Sequence, residues 1–254
     1  MDIATLIGII LCFCAMFGPI LMANKLALYI DIPSVVIVGL GAFAATLAAF
    51  TLGDTINMIA VVKQTLFSKS VDLGKIVDTM VDLGEKSRRE GILALEREMG
   101  RVDDLFMKKA MQLAVDGNEA QVIENVMQTE IDNIEERHKV GRAWLMQASN
   151  MGPAYGMAAT VIGLIQMLDA LDDPANLGAG MAMALITTFY GSIVANAICI
   201  PLAMKLERRS KIELLTKNMV LFGVLSIQSG DNPRVTREKL ETFLAPKFRQ
   251  GGGK

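Results

Sequence analysis

The chain has 254 residues, of which 52% are hydrophobic and 20% charged, and its mean hydropathy is +0.40, well above that of an ordinary soluble domain. The formal net charge of −2 gives no sign of a nucleic-acid partner. No P-loop, dinucleotide fingerprint or nucleophile elbow is present, so the sequence offers no support for an enzyme.

Four stretches, residues 3–24, 32–53, 143–168 and 175–204, carry no Asp, Glu, Lys or Arg. Crossing the hydrocarbon core takes about 20 mostly apolar residues. The first stretch lacks the basic start and small-residue cleavage site of a signal peptide, so all four read as spans. Of the 25 Lys and Arg residues, only Lys25 falls in the short segments 25–31 and 169–174. The second short segment is acidic, with Asp169, Asp172 and Asp173. The positive-inside rule then places both short segments outside, and the central segment and both termini in the cytoplasm. The predicted organisation is spans one and two in 1–53, a cytoplasmic helical domain in 54–142, spans three and four in 143–204, and a cytoplasmic helical tail in 205–254. Cys12, Cys14 and Cys199 all lie within spans and show no disulfide or metal spacing.

In the cytoplasmic segment, Ile76, Val77, Met80, Val81 and Leu83 follow helical spacing. A second helix begins near Gly91, and a third runs from about Asp103 to Val115, with acidic residues at its start and Gly117 past its end. Asn118 with Gln121 has the form of a capping box. No helix breaker intervenes from there to span three, so residues 118–168 read as one helix of about 75 Å. Residues 205–226 extend span four in the same way. Asn232 and Pro233 then start a short helix, and Gly251-Gly252-Gly253-Lys254 reads as a flexible tail or an expression scar. No strand pattern appears, and the fold class is all-α.

No mid-span carboxylate is present, so an ion conducted through these helices must find one on another subunit. The spans offer small residues and hydroxyls instead. Gly152, Gly156 and Gly163 in span three, and Gly191 in span four, suit close helix packing. Thr160, Thr187 and Thr188 could line a path or simply bond carbonyls of their own helices. Pro153 and Pro201 should kink spans three and four, as static bends or as hinges. The charged run Glu85 to Glu98 reads, on composition alone, as a solvated helix face. His138, the only histidine, has no ligand cluster around it, and no metal site or cofactor is expected.

The run Ser87-Arg88-Arg89-Glu90-Gly91-Ile92-Leu93-Ala94-Leu95-Glu96, the segment Gly152-Pro153-Ala154-Tyr155-Gly156-Met157, the segment Met181 to Gly191, Ile200-Pro201-Leu202-Ala203 and the tail motif Ser226 to Val235 occur in one order along the chain. In this the sequence resembles the MotA/PomA family of flagellar motor stator subunits over nearly its full length. The resemblance implies a homopentamer in the bacterial inner membrane, surrounding a pair of B subunits that carry a transmembrane Asp and a peptidoglycan-binding domain. Ion flow through the complex would turn the rotor through its switch protein FliG. It implies that Arg88, Arg89 and Glu96 face the rotor, that Pro153 and Pro201 flank the ion path, and that Thr160, Thr187 and Thr188 are the hydroxyls of sodium-type members. Na+ is then the expected ion, with H+ the alternative. The sequence departs from the sodium pattern at Asn150, where an Asp is common. Two rival readings are an ExbB/TolQ-like energy-transducing subunit, whose members have three spans, and a non-conducting membrane scaffold.

Overall fold

The computed structural model describes residues 3–24, 26–67, 72–169, 171 and 174–249. The expected glycine tail, Met1-Asp2 and the acidic pair Asp172 and Asp173 lie outside the described residues. Every described element is helical, as the sequence predicts. The chain divides into two compact units, residues 1–69 with 138–208, and residues 70–137 with 209–254.

The first unit opens with α1 (Ile3–Met22), closed by Asn24 in the left-handed region at φ 53°. Asn tolerates that conformation better than most residues. Asp31 caps α2 (Ile32–Val35) by accepting from the Ser34 N–H at 2.9 Å, with Pro33 in the first turn. A π segment, Val36–Leu40, joins α2 to α3 (Gly41–Ala49). The predicted span to residue 53 closes earlier, at Ala49. Thr51 and Asp54 explain this: the Asp54 N–H donates to Thr51 Oγ1 at 3.2 Å, and Thr51 Oγ1 donates to Asp54 Oδ2 at 2.7 Å. That reciprocal cap starts a new helix, α4 (Leu52–Phe67).

In the second unit, Asp72 caps α5 (Leu73–Glu90), and Gly91 at φ 85° ends it. The short α6 (Ala94–Met99) precedes α7 (Leu105–Val115), which Asp104 caps through the Met107 N–H at 2.8 Å. Burial acts to raise the Asp104 carboxyl, but hydrogen bonds from Lys217 and the Met107 N–H outweigh it and hold the group below its ordinary range. Asn118 is not the start of the next helix. Its side-chain amide donates to the Leu113 carbonyl at 2.9 Å, which closes α7, while α8 runs Ala120–Asp169. A free carbonyl at a helix end competes for such a side chain. The core is rich in methionine: Met80, Met111, Met127 and Met219 are fully buried together with Leu95, Ile123 and Leu240. The strongly apolar run Met219 to Ile227 belongs to this core.

The 50-residue α8 is as long as its sequence predicts, about 75 Å. After it comes α9 (Pro174–Ser192), then a π segment, Ile193–Cys199, then α10 (Ile200–Gln228). Asn232 caps α11 (Pro233–Glu241), with Pro233 in its first turn, as expected. Asp231 is held below its ordinary range by hydrogen bonds from Lys239 and Ser226.

Three helical runs, Ile32–Ala49, Ala120–Asp169 and Leu177–Gln228, are long and apolar enough to cross a membrane. A shorter apolar run covers Ile7–Met22 within α1.

Candidate functional site

Within the first unit, α8 and α9 meet through glycine. A Cβ on Gly191 would lie 2.7 Å from the Gly152 carbonyl oxygen, and one on Gly163 would lie 2.8 Å from the Ala184 nitrogen and the Gly180 oxygen. A Cβ on Gly156 would lie 3.0 Å from the Thr187 oxygen. The obstacles are backbone, so the approach is open only to residues lacking a side chain. Gly180 completes this seam, and sequence spacing passed it over. A Gly180 Cβ would lie 2.7 Å from the Gly163 oxygen. The signal was available, because Gly180 stands four residues before Ala184, a small-xxx-small pair.

This seam positions the hydroxyls. Thr160 Oγ1 on α8 lies 2.7 Å from Thr188 Oγ1 on α9. It is also 2.9 Å from the Gly156 carbonyl of its own helix and 3.1 Å from the Ala184 carbonyl of the other. Thr188 Oγ1 is 3.3 Å from the same Ala184 oxygen. Thr160 and Thr188 therefore share one group of oxygens. Thr187 does not face Thr160: it is fully buried and donates to the Met183 carbonyl at 2.9 Å, with the Ala184 oxygen at 3.1 Å.

The chemistry of the group follows from proton count. Two hydroxyl oxygens 2.7 Å apart repel unless a proton lies between them, so one donates to the other. A cation reverses the preference. Each hydroxyl can turn its proton onto its own helix, Thr160 to Gly156 and Thr188 to Ala184, and present oxygen outward.

The two prolines sit in different settings. Pro153 lies inside α8 with no change of helix type. Pro201 follows the seven-residue π segment Ile193–Cys199, in which the Ile200 N–H donates five residues back to the Ala195 carbonyl. A widened turn is one way a helix accommodates a residue with no N–H to donate.

Other contacts of the first unit were not legible from spacing. A Cβ on Gly41 would collide with the Tyr155 ring, so that ring packs directly against the glycine. The Tyr190 hydroxyl donates to the Tyr29 carbonyl and lies 3.4 Å from the Asp31 N–H, tying α9 to the segment before α2.

In the second unit, the charged run is a set of pairs with two exceptions. Lys86 pairs with Glu98 at 2.8 Å, Arg97 with Glu90 at 3.3 Å, Arg101 with Glu98 at 3.3 Å and, more loosely, Arg89 with Glu85 at 3.7 Å. The Lys86 hydrogen bond holds Glu98 below its ordinary range. Arg88 and Glu96 are exposed and pair with none of the described residues. Among the described residues no cluster of His, Cys, Asp or Glu has the form of a metal site.

Residues 98–219 match the model of the MotA/TolQ/ExbB proton channel family. Motility protein A of Borreliella burgdorferi is 39% identical over 98% of this chain and 96% of its own length. Chemotaxis protein PomA of Vibrio alginolyticus is 34% identical over 96% of each. The structure of C. jejuni MotAB matches with a TM-score of 0.90 at 25% identity, over 100% of this chain and 99% of that one. The flagellar MotAB stator complex from Bacillus subtilis matches with a TM-score of 0.88 at 32% identity, over 98% of both. The family model spans both the motility and the TolQ/ExbB branches, whereas these full-length matches lie on the motility side and set aside the ExbB/TolQ-like and scaffold readings. The chain belongs to the MotA/PomA family of flagellar stator A subunits, membrane-embedded components of an ion-driven motor.

Proposed function

We propose that this chain forms a homopentamer around a pair of B subunits in the bacterial inner membrane, and that Na+ passes between the B-subunit carboxylate and the oxygens of Thr160 and Thr188. The observation that carries this reading is the 2.7 Å approach of those two hydroxyls beside the Ala184 carbonyl. A partly dehydrated alkali cation needs several oxygens, whereas a proton needs a titratable group and a relay. The spans lack a carboxylate of their own, so the B subunit supplies it. Thr187, turned into its own helix, supports the path by packing. The MotAB complexes among the similar structures support pairing with a B subunit.

Four spans, with α1 as the first, put both termini in the cytoplasm, in line with the distribution of Lys and Arg. Arg88 and Glu96, with Arg89 beside them, then face FliG on the rotor. Two opposite charges unpaired within an otherwise paired patch support a contact surface, since such groups steer and orient a partner. Pro153 and Pro201 bracket the path, and Pro201 with its π turns is the better candidate for a moving part.

The test is uptake of labelled sodium into vesicles holding the purified A–B complex. Sodium uptake that falls at least tenfold in the Thr160→Ala, Thr188→Ala double variant supports the reading. Proton uptake indifferent to sodium and to both substitutions refutes it.

A further inference from the structure

The π segment Ile193–Cys199 holds a polar residue for which neither the fold nor the Thr160–Thr188 pair accounts. Asn196 lies inside an apolar run that crosses the membrane, and it is exposed. Its side-chain nitrogen is 3.2 Å from the Ser192 carbonyl and 3.3 Å from Ser192 Oγ. A carbonyl only accepts, so the amide must turn its NH2 toward Ser192. That fixes Oδ1 on the other side, where it accepts from none of the described residues. An amide oxygen facing lipid would be costly to hold in an apolar span.

Its place along the helix gives it a use. Thr188, Ser192 and Asn196 are spaced four residues apart, and the contact between Asn196 and Ser192 keeps them on one side of the helix. With Thr160 joined to Thr188, the four residues make a line of oxygens. At 1.5 Å per residue, the step from Thr188 to Asn196 is about 12 Å. The π segment widens the helix at the end of this line, with only Ile200 between it and Pro201.

We propose that Ser192 and Asn196 continue the ion path from the threonine pair toward the Pro201 end of the helix, with Asn196 Oδ1 as a second resting point for a partly hydrated monovalent cation. This inference rests on the proposed ion path at Thr160 and Thr188. It differs in assigning a separate oxygen that controls how fast ions leave that pair. Losing one such neutral oxygen should slow passage by about two- to tenfold.

The experiment compares bead rotation at low and at high load in stator-less cells that express the full A–B complex. At low load, speed follows ion passage. At high load, torque follows the energy per ion and the number of engaged complexes. Asn196→Leu is expected to cut low-load speed about two- to tenfold with stall torque unchanged, and Asn196→Ser, which keeps an oxygen, to recover part of it. Equal loss at both loads, or loss at neither, overturns the proposal. If Asn196→Leu does not assemble, Asn196→Ser alone decides: an unchanged low-load speed overturns the proposal, and a reduced one upholds it. Thr160→Ala is measured alongside. A variant that leaves ion dependence unchanged while Asn196→Leu slows rotation refutes the threonine site and leaves Asn196 in the path.

Discussion

The two units are held together by different means. In the first, helices touch backbone to backbone, and the Gly152–Gly191 and Gly163–Gly180 seams leave no room for a methyl group. In the second, side chains pack between the helices, with Met80, Met111, Met127 and Met219 fully buried in the core. The difference follows from the solvent. Lipid tails are as apolar as Leu, so apolar side chains gain little by leaving lipid, and close packing and hydrogen bonds must join the helices. In water the hydrophobic effect suffices, and flexible side chains can fill irregular space. The same contrast sorts the functional groups: the first unit brings together uncharged oxygens, the second displays charge.

The largest effect should come from adding one methyl to each unit. In Gly191→Ala the new carbon meets the Gly152 oxygen at 2.7 Å and the Pro153 Cα at 3.1 Å, atoms that cannot move without moving a helix. In Gly223→Ala it meets Met80 Cγ and Sδ at 2.8 Å, part of a side chain with three rotatable bonds. Gly191→Ala should cost about 3 kcal/mol and deplete the assembled complex. Gly223→Ala should cost under about 1.5 kcal/mol, because overpacking is offset by helix propensity. Recovery of the A–B complex from membranes and its melting in detergent measure both. Equal sensitivity at the two positions would dissolve the contrast.

A second pair of variants separates display from stability within the charged unit. Arg88→Glu with Glu96→Lys reverses two groups that have no described partner, so expression and melting should hold while torque falls severalfold. Lys86→Ala breaks the solvent-exposed pair with Glu98, so melting should barely change and torque should stay near normal. Bead rotation with a count of membrane-bound complexes checks both. Normal torque after the double reversal would remove Arg88 and Glu96 from the contact surface.

The sequence announced the long helix, the acidic start of α7, the Asn232 cap of α11 and the glycines of one face, because these depend on local spacing and on residues with few conformational options. It did not announce which threonine would turn away. Thr187 and Thr188 are neighbours with the same side chain, and only the helix rotation fixed by Gly156 and Gly163 sends Thr188 to Thr160 and buries Thr187. Nor did it show the π segments, since a widened turn has no residue pattern of its own. Asn118 misled because an Asn suits either end of a helix, and the Leu113 carbonyl took it. The pairing within Glu85 to Glu98 was equally hidden. Composition shows a balanced patch, and only the fold shows that Arg88 and Glu96 are left over.

The smallest effect concerns acid. Asp104 carries a carboxyl held below its ordinary 3.8, against its own burial, by Lys217 and the Met107 N–H. A depressed carboxyl stabilises the folded chain above that ordinary value, and the contribution is lost as pH falls through the folded value. Asp104→Asn keeps the cap and removes the charge. It should lower stability at neutral pH by less than about 1 kcal/mol, since the site is partly exposed. It should also flatten the loss seen in the parent below 3.8. Melting of the purified complex across this range tests it, and an identical acid profile in the two proteins would contradict the assignment.

The central claim is that uncharged oxygens on α8 and α9 pass Na+ and so drive rotation. Its most direct test is bead speed in stator-less cells expressing this chain with its B subunit, measured across external sodium at fixed pH, in the parent and in Thr160→Ala. The account predicts speed that rises and saturates with sodium, is insensitive to a protonophore, and needs more sodium to saturate in Thr160→Ala. Speed that ignores sodium and collapses with a protonophore in both proteins would contradict it.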